Sequence, residues 1–532
     1  MLRYLLSIYL LFLINIVFGQ FVGIIPQPQI VIPGTDSLTI EKDIVIQGEE
    51  LQAISYLRQN LLSRFGKLSQ LNTSKQAIIS FQRPQTRKEL GEEGYELVVS
   101  NGGITVIAQT HKGYFYAVNS LLQLFHYYRQ GDKVVIPAMQ IKDVPLFSWR
   151  GFMLDEARHF FGKKKVKQLL DYMAFYKLNK FHWHLTDEPG WRLEIKRYPY
   201  LSLIGGVGSY LNPYTPAQYY SQEDIKEIVA YAAERHIDII PEIDMPGHAT
   251  AANRAYPQYS GGGTKEHPDF TFHPAKESTY QYLTNILKEV TVLFPSGIVH
   301  LGGDEVAFGS DAWNEDVHVS ELKNKLNLAS NKDVERYFMQ RMADSLFNLG
   351  NKLAVWDEMA EAGLPSDKTI QYWWRHDRKG QLETCLRNGY SVVICPRIPL
   401  YFDFVQAEEH QHGRKWAGNF SSLESVYQID LSEYQQMEIK EGQILGMQAN
   451  LWTERIHNES RFDFMTFPRI AALAEAAWTA RERKSLEHFK QVLKTHLHLY
   501  AKDNIYYFDP FDNTHVEPKV PQAIKKYLDN PE

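Results

Sequence analysis

Residues 149–185 read WRGFMLDEARHFFGKKKVKQLLDYMAFYKLNKFHWHL, and this stretch carries the pattern that decides the fold. An apolar segment at 149–154 is followed by a polar connection, and a second apolar segment closes the stretch at 180–185. Between them, apolar residues recur at the spacing of one helical face: Val166, Leu169, Leu170 and Met173. The pattern predicts a strand, an amphipathic helix and a second strand, the repeating unit of parallel α/β folds.

The same rhythm continues toward the carboxyl end of the chain. Eight segments read as buried strands, at 149–154, 180–185, 237–243, 298–301, 353–356, 370–373, 391–395 and 444–449. A second helical face between them consists of Ile225, Ile228, Val229 and Ala232. Eight strand–helix units over about 340 residues predict an α/β fold, a (β/α)8 TIM barrel with enlarged loops.

From residue 20 onward, the predicted organisation has three regions. Residues 20–145 have the alternation of short strands, with a hairpin turn at 101–103 and two helical segments, and predict a small α+β domain. They contain no chemical constellation, so we expect this domain to be non-catalytic. The barrel is expected over 146–485, and residues 486–532 are expected to form a helical tail packed on it.

The first residues resemble an export signal. Arg3 precedes an almost unbroken apolar stretch at 5–18, and the small residues Val17 and Gly19 suit a signal peptidase. The pattern predicts a signal peptide at 1–19, cleavage before Gln20, and export to a periplasmic, extracellular or lysosome-like compartment. A retained anchor is the alternative, although the stretch is short for a membrane span. No later segment has about 20 apolar residues, so the mature protein should not span a membrane.

Charge and cysteine content exclude some classes of protein. The formal net charge is -6, from 57 Lys and Arg against 63 Asp and Glu. Such a chain lacks the basic excess by which proteins displace counterions from nucleic acid. Only Cys385 and Cys395 occur, so no disulfide framework is expected; two buried thiols or one local bridge are both compatible with the sequence.

Polar residues gather where the predicted strands end. A (β/α)8 barrel places its chemistry at that rim, in the loops that follow the strands. Helix caps explain single Asp residues but not a ring of acids, histidines and indoles. The residues in these positions are Asp155, Glu156, Arg158, His159, His184, Asp187, Glu242, Asp244, His248, Asp304, Glu305, Asp357, Glu358, Tyr401, Asp403, Trp452 and Glu454.

The segment at 298–305, IVHLGGDE, is the most informative of these strand ends. Strand alternation directs Asp304 and Glu305 to opposite sides. Gly302 and Gly303 remove side chains where a ligand or another backbone must come close. Two adjacent carboxylates can contact different atoms of one sugar, and crowding with partial burial would raise the pKa of one of them, which would make that one a proton donor.

This segment resembles the HxGGDE signature of family 20 hexosaminidases. Other segments of that family follow in the same order across the barrel: 149–151 (WRG), 182–187 (HWHLTD), 246–248 (PGH), 355–356 (VW), 371–373 (QYW), 401–403 (YFD) and 451–454 (LWTE). The resemblance implies the barrel, the smaller domain before it, and β-N-acetylhexosaminidase activity. Phe402, where the family often has Leu, and the doubled Trp373-Trp374 depart from the pattern. The doubling leaves open which indole faces the sugar; we expect Trp373.

The resemblance also implies catalytic roles. Glu305 would protonate the glycosidic oxygen and then act as a base toward water. No second carboxylate would attack the sugar, because in this family the substrate's own acetamido oxygen forms an oxazolinium ion. Asp304 would orient the acetamido N–H, and Tyr401 would hold the acetamido oxygen. Asp187 and His248 would tune the proton affinity of Glu305.

The remaining implied residues bind the substrate. Arg150, Asp403 and Glu454 should bind the ring hydroxyls, and Trp356, Trp373 and Trp452 should wall the pocket. Neither a metal nor a cofactor is implied, and the partners are glycans ending in β-linked N-acetylglucosamine or N-acetylgalactosamine. The sequence does not separate these two sugars, nor chitin oligomers from N-glycans or glycolipids. A homodimer is possible.

Three other functions remain open at this stage. His182 and His184 at a strand end could hold zinc in a barrel hydrolase. A catalytically retired sugar-binding barrel would keep the indoles and lose the proton donor. An ordinary two-carboxylate glycosidase could use Glu242 or Glu358 as its nucleophile.

Overall fold

The computed structural model describes residues 22–41, 44–66, 69–71, 78–84, 87–512 and 515–523. The predicted signal peptide lies outside these residues. The chain divides into two compact units. The first holds the described residues up to Leu146 together with Phe175–Lys177 and Ala474–Leu499. The second holds Phe147–Ala174, Leu178–Leu473 and the described residues from Tyr500 onward. Residues 474–499 therefore group differently from the predicted division at 485/486, and the packing of the tail stays a prediction.

Up to Leu146, the first unit contains a mixed sheet and two long helices, in agreement with the predicted α+β domain. Its strands are β1 Ile30–Ile40, β2 Ile44–Gln47, β3 Ser69–Leu71, β4 Ile79–Gln82, β5 Tyr95–Ser100, β6 Gly103–Ala108, β7 Arg129–Gln130 and β8 Lys133–Asp143, ordered β1-β8-β5-β6-β4-β2-β3 with β7 beside β8. The predicted hairpin is the antiparallel β5–β6 pair. The helices of this amino-terminal part are α1 Leu51–Phe65 and α2 His111–Tyr127.

The second unit contains a closed barrel of eight parallel strands, which confirms the predicted (β/α)8 fold. The strands are β9 Trp149–Asp155, β10 Lys180–His184, β11 Asp238–Met245, β12 Ile298–Gly302, β13 Lys352–Trp356, β14 Thr369–Trp373, β15 Ser391–Ile394 and β16 Ile444–Leu451. Neighbours in sequence pair in space, and β16 closes the ring on β9. The predicted strand ends differ from the observed ones by about two residues at most, within the usual uncertainty of element boundaries.

The helices after α2 follow the predicted alternation with the strands. They are α3 Lys163–Phe175, α4 Tyr200–Leu203, α5 Gln222–Ala233, α6 Thr250–Ala255, α7 Glu277–Leu293, α8 Val317–Leu326, α9 Asn331–Asn348, α10 Lys379–Arg387, α11 Arg397–Leu400, α12 Leu423–Gln428, α13 Ser432–Gln435, α14 Glu459–Thr466, α15 Arg469–Trp478 and α16 Leu486–Lys502. Capping boxes fix the first turns of α5 and α9, since Ser221 and Ser330 exchange hydrogen bonds with residues three positions later. Within the described part of the chain, no helix combines the length and apolar character needed to cross a bilayer.

The barrel interior is filled by inward-pointing side chains in two kinds of layer. An apolar layer includes Trp149, Ile240, Ala354 and Ile370. Two positions further along the same strands come Glu242, Trp356 and Tyr372, with His182 and His300 packed beside them, all buried. Because alternate residues of each strand point inward, this polar and aromatic layer lies directly beneath the carboxyl ends of the strands.

Candidate active site

A pocket opens at the carboxyl ends of the barrel strands, where a (β/α)8 fold places its chemistry. Eight of the eleven residues predicted from the sequence line it: Asp187, His248, Asp304, Glu305, Trp356, Tyr401, Trp452 and Glu454. Arg150, Trp373 and Asp403 do not.

The two acids reach the pocket together because the chain turns sharply at the end of β12. Gly302 and Gly303 have φ of 67° and 88°, and Glu305 itself has φ of 51°. These left-handed conformations end the strand alternation, so Asp304 and Glu305 do not point to opposite sides as the regular pattern predicted. A Cβ on Gly302 would lie 1.7 Å from Oδ1 of Asp244, so the position requires glycine.

A histidine joins the two acids to a deeper carboxylate. Nε2 of His248 lies 3.5 Å from Oε2 of Glu305 and 3.7 Å from Oδ2 of Asp304. Its other nitrogen, Nδ1, is hydrogen-bonded to Oδ1 of Asp187 at 3.2 Å. Burial alone would lower the pKa of His248, but the charges of Asp187, Asp244 and Asp304 raise it well above its ordinary value. The imidazole is therefore held charged beside the acid pair.

The raised pKa expected for one of the two acids is found at Asp304, whereas the family resemblance assigns proton donation to Glu305. Burial raises its pKa well above the usual carboxyl range; the charge of His248 opposes the rise, and that of Glu305 adds to it. A positive charge developing on a bound substrate would favour the ionised form of Asp304. The side chain of Glu305 is about one third exposed, at 32%, and so remains accessible from the pocket.

The arginine that lines the pocket at the first barrel strand is Arg158, whereas the sequence predicted Arg150. Arg150 is the second residue of β9, so it lies at the amino end of the barrel, fully buried, and donates to the carbonyl of Phe147 at 2.8 Å. Arg158 follows the carboxyl end of the same strand and lines the pocket. Its guanidinium pairs with Oδ2 of Asp187 at 2.7 Å and lies 5.0 Å from the ring of Trp452. The position of each arginine relative to the carboxyl end of β9 could have shown, from the sequence, that Arg158 and not Arg150 reaches the pocket.

The aromatic wall contains Trp374 in place of the predicted Trp373. Strand β14 directs Ile370 and Tyr372 inward, so alternation continues to Trp374, whose ring stacks on that of Tyr401 at 6.3 Å and 12°. Trp373 points away from the pocket, fully buried, with Nε1 donating to the carbonyl of Arg378 at 3.4 Å.

The rest of the wall is continuous. The rings of Trp356 and Tyr401 lie 6.0 Å and 6.1 Å from that of Trp452. Flat apolar faces of this kind suit a sugar ring or an acetamido methyl group.

Arg414, which no sequence pattern marked, pairs with two acidic residues at another side of the pocket. Arg414 pairs with Oδ2 of Asp403 and with Oε1 of Glu454, each at 2.8 Å. Asp403 is buried and does not line the pocket, whereas Glu454 does, so the expected contact of Asp403 with a ring hydroxyl stays a prediction. The second oxygen of Glu454 is buried without a hydrogen-bond partner among the described residues, as expected of a group that receives a ligand hydroxyl.

A second missed residue, Trp416, lies at the pocket in the long connection after Tyr401. The guanidinium of Arg397 lies 4.2 Å from its ring and 4.9 Å from that of Trp374. Arg414 and Trp416 belong to a loop without helix or strand periodicity, so no sequence pattern marked them.

Adjacent acids, a charged imidazole and a wall of indoles in one carboxyl-end pocket define a carbohydrate-active (β/α)8 barrel. Two family models match the chain. "Glycosyl hydrolase family 20, catalytic domain" matches residues 147–481, and "Glycosyl hydrolase family 20, domain 2" matches residues 22–144. The chain therefore belongs to glycosyl hydrolase family 20.

Individual relatives agree with this assignment. A beta-hexosaminidase of Porphyromonas gingivalis is 32% identical over 88% of this chain and 62% of its own length. A beta-hexosaminidase of Vibrio furnissii is 36% identical over 73% of this chain and 66% of its own length. The chain thus spans a little less than two thirds of both relatives. The crystal structure of an exo beta-N-acetylglucosaminidase from Vibrio harveyi with N-acetylglucosamine has a TM-score of 0.84 and 32% identity, covering 93% of this chain and 79% of that one.

Proposed function

We propose that this protein is an exo-acting β-N-acetylhexosaminidase. It removes terminal non-reducing β-linked N-acetylglucosamine or N-acetylgalactosamine from glycans, with retention of configuration. The observation that carries the proposal is that Asp304, Glu305 and Tyr401 share one pocket with the indoles of Trp356, Trp374 and Trp452. An acetamido group in that pocket would meet a carboxylate, a hydroxyl and an apolar wall.

The reaction takes place in two steps. In the first, Glu305 gives its proton to the glycosidic oxygen while the acetamido carbonyl oxygen attacks C1, so the C1–O bond breaks and an oxazolinium ion forms. Asp304 accepts the acetamido N–H and balances the positive charge, and Tyr401 orients the attacking oxygen. In the second, the Glu305 carboxylate takes a proton from water, whose oxygen opens the oxazolinium at C1.

The alternative of a protein nucleophile is not favoured by the surroundings of the two candidate carboxylates. Glu242 is fully buried beneath the pocket and accepts a hydrogen bond from Nε1 of Trp356 at 2.9 Å. Glu358 accepts from Nε1 of Trp374 at 3.1 Å and pairs with Arg375 at 3.4 Å. Neither residue lines the pocket, so neither presents an oxygen to an anomeric carbon.

The alternative of a zinc site at His184 is disfavoured by its neighbours. Nδ1 of His184 is hydrogen-bonded to Glu242, and Nε2 is bonded to Oδ2 of Asp187 at 2.8 Å. The guanidinium of Arg158 lies 3.3 Å from the same Nε2, where a bound cation would face like charge. The retired-barrel alternative is also weakened, because Glu305 is present and accessible.

A substrate class is proposed for the same site. We propose chito-oligosaccharides ending in N-acetylglucosamine among the substrates, supported by the N-acetylglucosamine complex of the Vibrio harveyi relative. Export through the predicted signal peptide would expose the enzyme to such glycans; sequencing the mature amino terminus, with Gln20 expected first, tests this. Gel filtration with light scattering tests the predicted homodimer.

The proposed mechanism is tested by comparing aryl β-glycosides that differ only in the 2-substituent. The purified protein should cut the N-acetylglucosaminide, leave the glucoside uncut, release the β-anomer as seen by proton NMR, and be inhibited by a thiazoline analogue of the oxazolinium. An aryl N-acetylgalactosaminide in the same panel reports the sugar preference. Efficient cleavage of the glucoside, or release of the α-anomer, would refute the proposal.

A further inference from the structure

Glu242 is a fully buried carboxylate in the barrel interior, directly beneath the pocket. Four nitrogen-bearing groups from three other strands surround its two oxygens: Trp356 donates to Oε1 at 2.9 Å, His300 Nδ1 lies 2.8 Å from Oε1, His182 Nε2 lies 3.1 Å from Oε2, and His184 Nδ1 is hydrogen-bonded to Oε2. A charge at this depth is costly unless such groups compensate it. Four partners on one carboxylate make Glu242 the centre of the layer beneath the site.

One of these partners leads in a continuous line to the proposed acid. His184 bonds Glu242 through Nδ1 and Asp187 through Nε2, the latter at 2.8 Å. Asp187 bonds His248 at 3.2 Å, and His248 lies 3.5 Å from the Glu305 carboxylate. The line Glu242–His184–Asp187–His248–Glu305 therefore alternates carboxylate and imidazole at every position.

The position of His184 between two carboxylates fixes its charge. An ionised carboxylate only accepts hydrogen bonds, so both ring nitrogens of His184 must donate and the ring must carry two protons. Burial alone would lower the pKa of His184, but the charge of Glu242, followed by the contacts with Asp187, raises it well above its ordinary value. Without the charge of Glu242, His184 would lose one of the two carboxylates that keep it protonated.

The state of His184 matters to the rest of the line. Asp187 is held ionised because Arg158 and the two histidines surround it; burial would raise its pKa, but the charges of Arg158 and His248 lower it well below the usual range. Ionised Asp187 in turn orients His248 and keeps it charged beside Glu305. A change at Glu242 would be transmitted through two hydrogen-bonded neighbours to the imidazole that contacts the acid.

We propose that Glu242 is a positioning residue for the proton donor, holding His248 against Glu305 through His184 and Asp187. The inference rests on the proposed function, in which Glu305 protonates the leaving group. Glu242 touches no substrate and acts only through these neighbours. Its hydrogen bond with Trp356 also fixes one indole of the pocket wall, a bond that the amide oxygen of a glutamine at this position can still accept.

The test is Glu242→Gln, assayed on two substrates that share the same N-acetylglucosamine. Chitobiose has a poor leaving group that needs protonation, and the 2,4-dinitrophenyl glycoside has a good one that does not. We expect kcat on chitobiose to fall about tenfold to hundredfold more than kcat on the dinitrophenyl glycoside. KM for the dinitrophenyl glycoside should change by about twofold at most. Loss of packing alone would not distinguish the two leaving groups.

Two further variants are needed: a control, and a substitute in case Glu242→Gln does not fold. His182→Asn removes another neighbour of Glu242, one that lies on the same strand as His184. Because His182 is bonded to Gln448 and not to Asp187, this variant should leave the ratio of the two kcat values as in the wild type. His184→Gln breaks the line while keeping Glu242, and should reproduce the selective loss. It decides the question if circular dichroism shows that Glu242→Gln does not fold.

The outcomes separate the two proposals. A wild-type protein that cuts neither substrate would refute the proposed function. A wild-type protein that cuts both, together with Glu242→Gln or its substitute His184→Gln losing equally on both substrates or changing only KM, would overturn the role of Glu242 and leave the proposed function standing.

Discussion

Glu305 occupies a backbone conformation that few residues other than glycine adopt, with φ of 51°. A non-glycine residue in this region costs of order 1–3 kcal/mol, which the surrounding structure must offset. The strained turn has a geometric consequence, because it brings two adjacent carboxylates to the same pocket. The strained residue is also the one assigned as the acid.

Replacement of that acid should be selective for the leaving group. Glu305→Gln should lower kcat on chitobiose by about 10²–10⁴-fold, the usual contribution of a general acid, and lower it less on an activated aryl glycoside. Steady-state kinetics on the two substrates measures the difference. Glu315→Gln, an exposed acid ten residues further along the chain, is the control and should behave as the wild type. Equal losses on both substrates would contradict the acid role.

The neighbouring tryptophans offer a second comparison. Trp374→Ala removes part of the pocket wall and should raise KM about tenfold, since burying an aromatic face is worth about 1.5–3 kcal/mol. Trp373→Ala empties a core position, so it should lower the free energy of unfolding by about 3–5 kcal/mol and leave KM unchanged. Kinetics and urea unfolding of both variants give the answer. A larger KM effect at Trp373 would reverse our assignment.

Sequence patterns located most of the site because it is built on strand ends. Residues directly following a strand, such as Asp187 and His248, are positioned by the barrel itself and could be predicted. Arg150 was misplaced because a motif match ignored which end of β9 it occupies. Asp403 was predicted to bind a ring hydroxyl, and its ion pair with Arg414 could not be foreseen because Arg414 lies in a loop with no periodic signal.

At the scale of elements, strand β12 shows why the glycine pair is required. Its turn brings Gly302 so close to Asp244 that no side chain fits, and Gly303 would place a Cβ 2.8 Å from Cγ of Met359. We expected a ligand or another backbone near these glycines; the structure instead places the side chains of Asp244 and Met359 there. The glycines therefore allow the strand end to pack closely against these two side chains.

Two alanine substitutions in and beside this strand separate strain from collision. Gly297→Ala has φ of 71° and nothing within 4 Å of the added carbon, so it should cost only about 1–2 kcal/mol of left-handed strain. Gly302→Ala adds a collision at 1.7 Å and should cost more, and it should also lower kcat because Asp304 and Glu305 must move. Urea unfolding and kcat of both variants test this; equal costs and full activity in both would contradict it.

At the scale of the whole molecule, buried acids make stability depend on pH. Burial raises the pKa of Glu156 to about 8 and that of Glu335 and Asp403 to about 7. The pKa values of His184 and His248 are also raised, because carboxylate charges outweigh burial. Between pH 6.5 and 8 the native state therefore holds protons that the unfolded chain has released. Buried histidines with lowered pKa, such as His159 at about 4, oppose this mainly near the lower limit.

Stability should consequently fall as the pH rises through this range. We expect the free energy of unfolding at pH 8 to be lower than at pH 6.5 by roughly 2 kcal/mol. Glu156→Gln, which keeps the shape of the side chain and cannot titrate, should reduce that difference by about 1 kcal/mol or more. Urea unfolding at the two pH values measures both. A protein that gains stability toward pH 8 would show that the raised groups do not dominate.

The layer of imidazoles around Glu242 has a consequence for anyone who would transplant this chemistry. Suppose that the carboxylate pair and the indoles were copied onto an idealised barrel with a purely aliphatic interior. Asp187 and His248 would then lack the buried residues that hold them in place. A successful graft would have to include the layer around Glu242 as well. The scaffold would then be less stable, but its proton donor would be held in place.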